Sequence, residues 1–236
     1  MPRPAHAARS LVALLALSTA CAARQAPPPP SHTGWTLRYT QRVGEGSTTA
    51  RDVRPEVAMA VLDGVARMSV RERGVEARVD SARSRVELCR GACVASDQET
   101  AMLAVAGIVD LPRAMSVREE APVTERIDDP LSITNVPTQG ARFVGAVQSS
   151  QGTLQFTLTV RWIDEPGERS VEVVKDFFLA PLVRMGAAQL VREVRRSVGL
   201  PLHWEIRIVT RRADGSSGEG SVVYHAAEMA NPPAAL

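Results

Sequence analysis

Lysine is nearly absent from this 236-residue chain: Lys175 stands alone, and arginine supplies every other basic side chain. With so much alanine, that bias reads as gene composition rather than an arginine-specific site. Excess charge of one sign is missing too. Removing residues 1–20 takes away Arg3 and Arg9 and no acids, so the 28 basic and 26 acidic side chains become 26 of each. A balanced domain lacks the concentrated basic surface that nucleic acid requires. Long apolar runs are missing as well. The one near the start, Leu11 to Leu17, is far shorter than the roughly 20 residues a membrane helix needs. Catalytic signatures are also lacking: no G-x-S-x-G, H-E-x-x-H or G-x-x-x-x-G-K-[ST] occurs. No cofactor and no enzymatic activity are expected.

What is present begins at the N-terminus. A basic start, a short apolar core and the small residues Ser18, Thr19 and Ala20 describe an export signal over residues 1–20. The exit of this signal resembles the lipobox of bacterial lipoproteins, with Thr19, Ala20 and Cys21 in place. Ser18 stands where the family prefers Leu. The resemblance implies acylation of Cys21, and Ala22 after it, in place of Asp, implies the outer membrane with the domain facing the periplasm. Ordinary cleavage after Ala20 or Ala22, giving a soluble secreted domain, is the alternative. Residues 21–33, with Pro27 to Pro30, form a lipidated tether. Prolines favour an extended chain of about 3.1 Å per residue, a reach on the order of 30–40 Å. Residues 34–230 are expected to form one domain and 231–236 a disordered tail.

With Cys21 acylated, Cys89 and Cys93 remain as a pair around Arg90-Gly91-Ala92, across a tight hairpin. An oxidising compartment makes this a disulfide. The C-x₃-C spacing does not suit thioredoxin-type exchange, and no further His or Cys lies near to complete a zinc site.

Strict alternation carries the fold. Leu154, Phe156, Leu158, Val160 and Trp162 share one face of a strand, with polar residues between them. Similar sets recur at Trp35, Leu37, Tyr39 and Val43, through 66–88, at 143–147, at Leu202, Trp204, Ile206 and Ile208, and at Val222, Tyr224 and Ala226. Strands apolar on one side belong to antiparallel sheets. Two helices are predicted. One runs from Asp97, a good cap, to about Val109, before Pro112. The other covers 180–198, with Leu182, Gly186, Leu190, Val194 and Val198 at four-residue steps on its apolar stripe. The expected class is therefore α+β, mainly antiparallel β: one curved sheet with two helices on its concave apolar face.

In this order of elements the chain resembles the lipoprotein-carrier family (LolA/LolB) and related bacterial lipoproteins over roughly residues 35–230. The resemblance implies a half-barrel with an open apolar cavity that holds acyl chains. The insertion member of that family carries an exposed hydrophobic loop, whereas the tip Arg90-Gly91-Ala92 is not hydrophobic.

Phe156, Leu158, Val160, Trp162, Leu190, Val194, Trp204 and Ile206 are the candidate lining of an apolar pocket. The same residues serve equally as a closed core, because both need the same periodicity. His203 and His225 fall on the polar phase of their strands and read as surface histidines. Glu119-Glu120 reads as a charged edge, and the Asp128-Asp129 and 214–219 acids as solvated turns. No metal is expected. The partners expected are a membrane, through the lipid on Cys21, and a lipid or lipoprotein ligand, with the chain a monomer. A structural, interaction or sensor lipoprotein with a filled core is the alternative.

Overall fold

In this computed structural model the structure describes residues 34–45, 52–62, 64–108, 116–164 and 168–230. The signal segment 1–20, the tether 21–33 with Cys21, and the tail 231–236 lie outside the described residues.

Among the described residues, thirteen strands form one open antiparallel sheet, accompanied by three α-helices. The first half is a meander of β1 (Gly34–Glu45), β2 (Asp52–Leu62), β3 (Val65–Val70), β4 (Val75–Asp80), β5 (Arg85–Arg90) and β6 (Ala92–Ala95). The chain then forms α1 (Gln98–Ala106). The second half is built on the long β10 (Val136–Ser149). Three short strands pair with it: β7 (Ser116–Glu119), β8 (Val123–Arg126) and β9 (Leu131–Ile133). After β11 (Gly152–Ile163) come α2 (Glu168–Arg184) and α3 (Ala188–Ser197), and then β12 (Leu200–Arg212) and β13 (Ser217–Ala230).

The two halves join through the first and last strands. β1 pairs with β13 from Thr36 opposite Ala230 to Glu45 opposite Gly220. The register on β1 shifts twice, at Arg38/Tyr39 against β13 and between Tyr39 and Gln41 against β2. Such irregularities bend a strand and increase its local twist. They fall at the middle of the strand path, where curvature wraps the sheet around its helices.

Alternation sorts the two faces as expected. Trp35, Leu37, Tyr39, Met59, Met68 and Ala77 are all buried on the inner face, and the residues between them are largely half-buried or exposed. Two departures are informative. Strand β2, with Val57, Met59 and Val61 buried, carries a good inner-face pattern that the sequence reading passed over. Gln41 continues the inner phase of Tyr39 and is 2% exposed, although it is polar.

The helices require the larger correction, because the described residues form three rather than two. α1 is capped as predicted: Thr100 N–H donates to Asp97 Oδ1 at 2.8 Å. It ends sooner than predicted, because Gly107 takes a left-handed conformation, φ 74°, and donates its N–H back to Ala104 O. All six residues from Ala101 to Ala106 are buried. The predicted helix over 180–198 is two helices. Gly186, φ 78°, breaks it, and α2 begins twelve residues before position 180. Proline usually suits a first helical turn. Here Pro181 lies inside α2. The missed stretch holds Val171, Val173, Val174, Phe177 and Phe178, all buried. Their β-branched and aromatic side chains disguise a helix whose stability comes from packing.

Cys89 and Cys93 lie directly opposite each other on β5 and β6 and form the expected disulfide. Gly91 turns the chain between them at φ 77°, a conformation that suits only glycine well. None of the helices described is long and apolar enough to cross a membrane.

Candidate functional site

The inner face of the sheet brings the eight candidate pocket residues together. Phe156, Leu158, Val160 and Trp162 point inward from β11, and β12 sets Ile206 opposite Leu158 and Trp204 opposite Val160. Leu190 and Val194 descend from α3. Leu190 sits over Gly145 of β10, where a Cβ would already be in van der Waals contact with its methyls. All eight are at most 7% exposed.

The space they face is occupied by α2. Phe178 stacks on Trp204, with centroids 5.1 Å apart, and meets Tyr39 and Tyr224 edge-on at 5.2 and 5.3 Å. Phe177 adds an edge contact to Tyr224 at 5.6 Å. Offset and edge-on aromatic pairs contribute about 0.5–1.5 kcal/mol each beyond their burial. Tyr39 is anchored further by donating its phenol O–H to Pro201 O at 2.5 Å. Burial pushes its pKa well above the ordinary tyrosine range.

Beside this cluster lies Gln41. Its amide N–H groups reach Tyr224 Oη at 2.9 Å and Ala106 O, at the end of α1, at 3.4 Å. Its carbonyl oxygen is buried with no partner. An unsatisfied buried acceptor costs about 1–3 kcal/mol, so this position is under-served. Beyond Gln41 the inner face is only half-covered. Val43, Val222, Ile208 and Leu154 are half-buried and form an apolar rim across β1, β13, β12 and β11.

A polar chain ties the three helices together. Gln98 of α1 donates to Asp176 of α2 at 2.5 Å, and Arg195 of α3 contacts Asp176 at 2.5 Å and Glu172 at 3.1 Å. Lys175 is buried between Glu172 at 2.6 Å and the carbonyl of Arg195 at 2.8 Å. Burial pushes the Asp176 pKa up, and Arg195 and Gln98 oppose that rise. Next to this chain is a cleft of about 610 Å³ between the β4–β5 turn and α2. Val79, Val86 and Val173 give it an apolar part, with Arg85, Glu172 and Asp176 around them. A second hollow, of about 270 Å³, lies on strands β1 to β3. Neither takes any of the eight candidate residues as lining.

Two other expectations are corrected. Glu119 is not simply a charged edge, because its carboxylate caps α3 through the N–H groups of Gln189 and Leu190. His203 is not a plain surface residue. Its side chain is 19% exposed and its ring faces His225 on the neighbouring strand. Among the described residues no group of three His, Cys, Asp or Glu side chains is arranged to share a metal.

No protein-family model matches the chain, and no curated protein sequence matches it significantly.

Proposed function

We propose that this is a non-enzymatic envelope lipoprotein, anchored through Cys21, whose curved sheet shelters an acyl chain, lipid or lipoprotein in the periplasm. The supporting observation is the inner face: an apolar rim left half-covered beside Gln41, whose carbonyl oxygen lacks a donor. The helices fill the rest of that face and act as a displaceable lid. An acyl chain would take the place of the Phe177 and Phe178 side chains as α2 moves outward. Shielding apolar surface from water, worth about 25 cal/mol per Å², supplies the driving force. The half-barrel architecture and the likeness to the lipoprotein-carrier family agree with this reading.

The alternative is an interaction or sensor lipoprotein with a filled core. The dense packing of Phe178 on Trp204 and Tyr224 favours it. Residues 31–236, purified from the periplasm and extracted for mass spectrometry, distinguish the two. Stoichiometric lipid supports the carrier. A lipid-free domain with no affinity for fatty-acid probes overturns it. Palmitate labelling that survives Cys21→Ala would remove the anchor from either reading.

A further inference from the structure

His203 of β12 and His225 of β13 are direct cross-strand partners on the outer face of the sheet. Their Nδ1 atoms lie 3.3 Å apart, with ring centroids at 5.6 Å and planes inclined by 68°. Both strands sit well inside the sheet, paired on each side, so the spacing is set by a continuous hydrogen-bonded ladder. Two imidazole nitrogens bound to one ion at about 2.0–2.1 Å and separated by 3.3 Å subtend an angle of about 107°, close to tetrahedral. We propose that His203 and His225 form a two-histidine site for a borderline divalent metal, copper or zinc, on the face opposite the apolar one.

The surroundings fit. When no metal is bound, one Nδ1 carries a proton and donates it to the other. Coordination needs both lone pairs, so that donor ring moves its proton to Nε2 with no net release. Around His203 the Nε2 side faces Glu205, whose carboxylate is 3.8 Å away. At that distance the carboxylate makes no hydrogen bond to the ring, and its negative charge favours a cation bound nearby. Arg161 stands opposite His203 on β11 and is itself paired with Asp129, donating to its carbonyl at 2.7 Å with the carboxylate at 3.6 Å. The protein supplies two ligands and leaves the remaining positions to solvent or a second molecule. The composition favours copper over zinc in affinity, as the general order for nitrogen ligands requires.

The test is titration of the full chain, purified without an affinity tag, with Cu²⁺ and separately Zn²⁺. One equivalent should bind saturably, and the copper complex should show hyperfine coupling to two imidazole nitrogens in electron paramagnetic resonance. His203→Asn and His225→Asn should each weaken binding by more than about tenfold. His225 is the exposed member, so its variant keeps the test sound if His203→Asn fails to fold. Absence of saturable binding overturns the proposal. So does binding retained in the double variant, which still carries His6 and His32, or a spectrum without two coupled nitrogens.

Discussion

The Glu119 carboxylate accepts the backbone N–H of Leu190 at 3.1 Å and of Gln189 at 2.6 Å, so strand β7 caps helix α3. The residue at the N-cap of α3, Ala187, has no side chain able to do this. A residue about seventy positions earlier supplies the missing acceptor and satisfies two of the free amides at the helix start. The same bond fixes Leu190 over Gly145.

Glu119→Ala should therefore cost about 1 kcal/mol, the usual value of a lost cap. Urea unfolding followed by circular dichroism reads this directly. The midpoint should fall with little change in slope. An unchanged midpoint would mean that α3 is held by packing alone.

Tyr39 and Pro201 make the second prediction. Tyr39→Phe removes the donor and leaves the Pro201 carbonyl buried, at a cost of about 1–3 kcal/mol. The intact protein carries a linked pH effect. The Tyr39 pKa is raised in the folded state, so its contribution is fully present below the unfolded tyrosine pKa of about 10. It declines above that as the unfolded chain ionises. Stability should fall above about pH 10 in the wild type and more gently in Tyr39→Phe, as seen by thermal melts across pH 8–12.

Asp97 and Asp176 should respond to acid in opposite senses. The N–H of Thr100 first, and its side chain second, hold the Asp97 pKa below the usual carboxylate range. The stability it contributes is present above the unfolded pKa and lost as pH falls through the lowered one. Asp176 is raised, chiefly by burial. Its contribution is present below the unfolded carboxylate pKa and lost as pH climbs through the raised value. Asp97→Asn should thus flatten the acid-side loss, and Asp176→Asn the loss on the way up. Stability measured from pH 3 to 7 in the two variants checks the signs.

The Cys89–Cys93 disulfide closes a very short loop, and its removal should cost about 2 kcal/mol in the chain-entropy view. The double Cys→Ser variant should melt roughly 4–8 °C lower for a domain of this size. Differential scanning calorimetry under non-reducing conditions tests it. Treating the wild type with a reductant should reproduce the shift.

The sheet was legible because its signal is local. Alternation along Leu154 to Trp162 needs only one face apolar, and the turns at Gly91 and Asp214 announce themselves. The start of α2 was hidden, since Val171, Val173 and Phe177 favour strands by propensity. Only the fit of Phe178 against Trp204 and Tyr39 makes that stretch helical. Glu119 could not be read as a cap, because its partner helix is remote in sequence. The histidine pair was within reach. A hairpin centred on Asp214 pairs residues equally far on either side, and His203 and His225 are each eleven positions away. What the pattern could not give is the 3.3 Å between their nitrogens.

The seam between β1 and β13 bears on how the protein is made. Strand β13, the last in sequence among the described residues, lies near the middle of the strand order, between β1 and β12. Until it arrives, the β1–β6 meander and the β10–β12 part each carry a bare inner edge, the kind of surface that invites wrong pairing. Pairing of β13 with β1 on one side and β12 on the other closes both edges, so the sheet becomes continuous only when that seam forms.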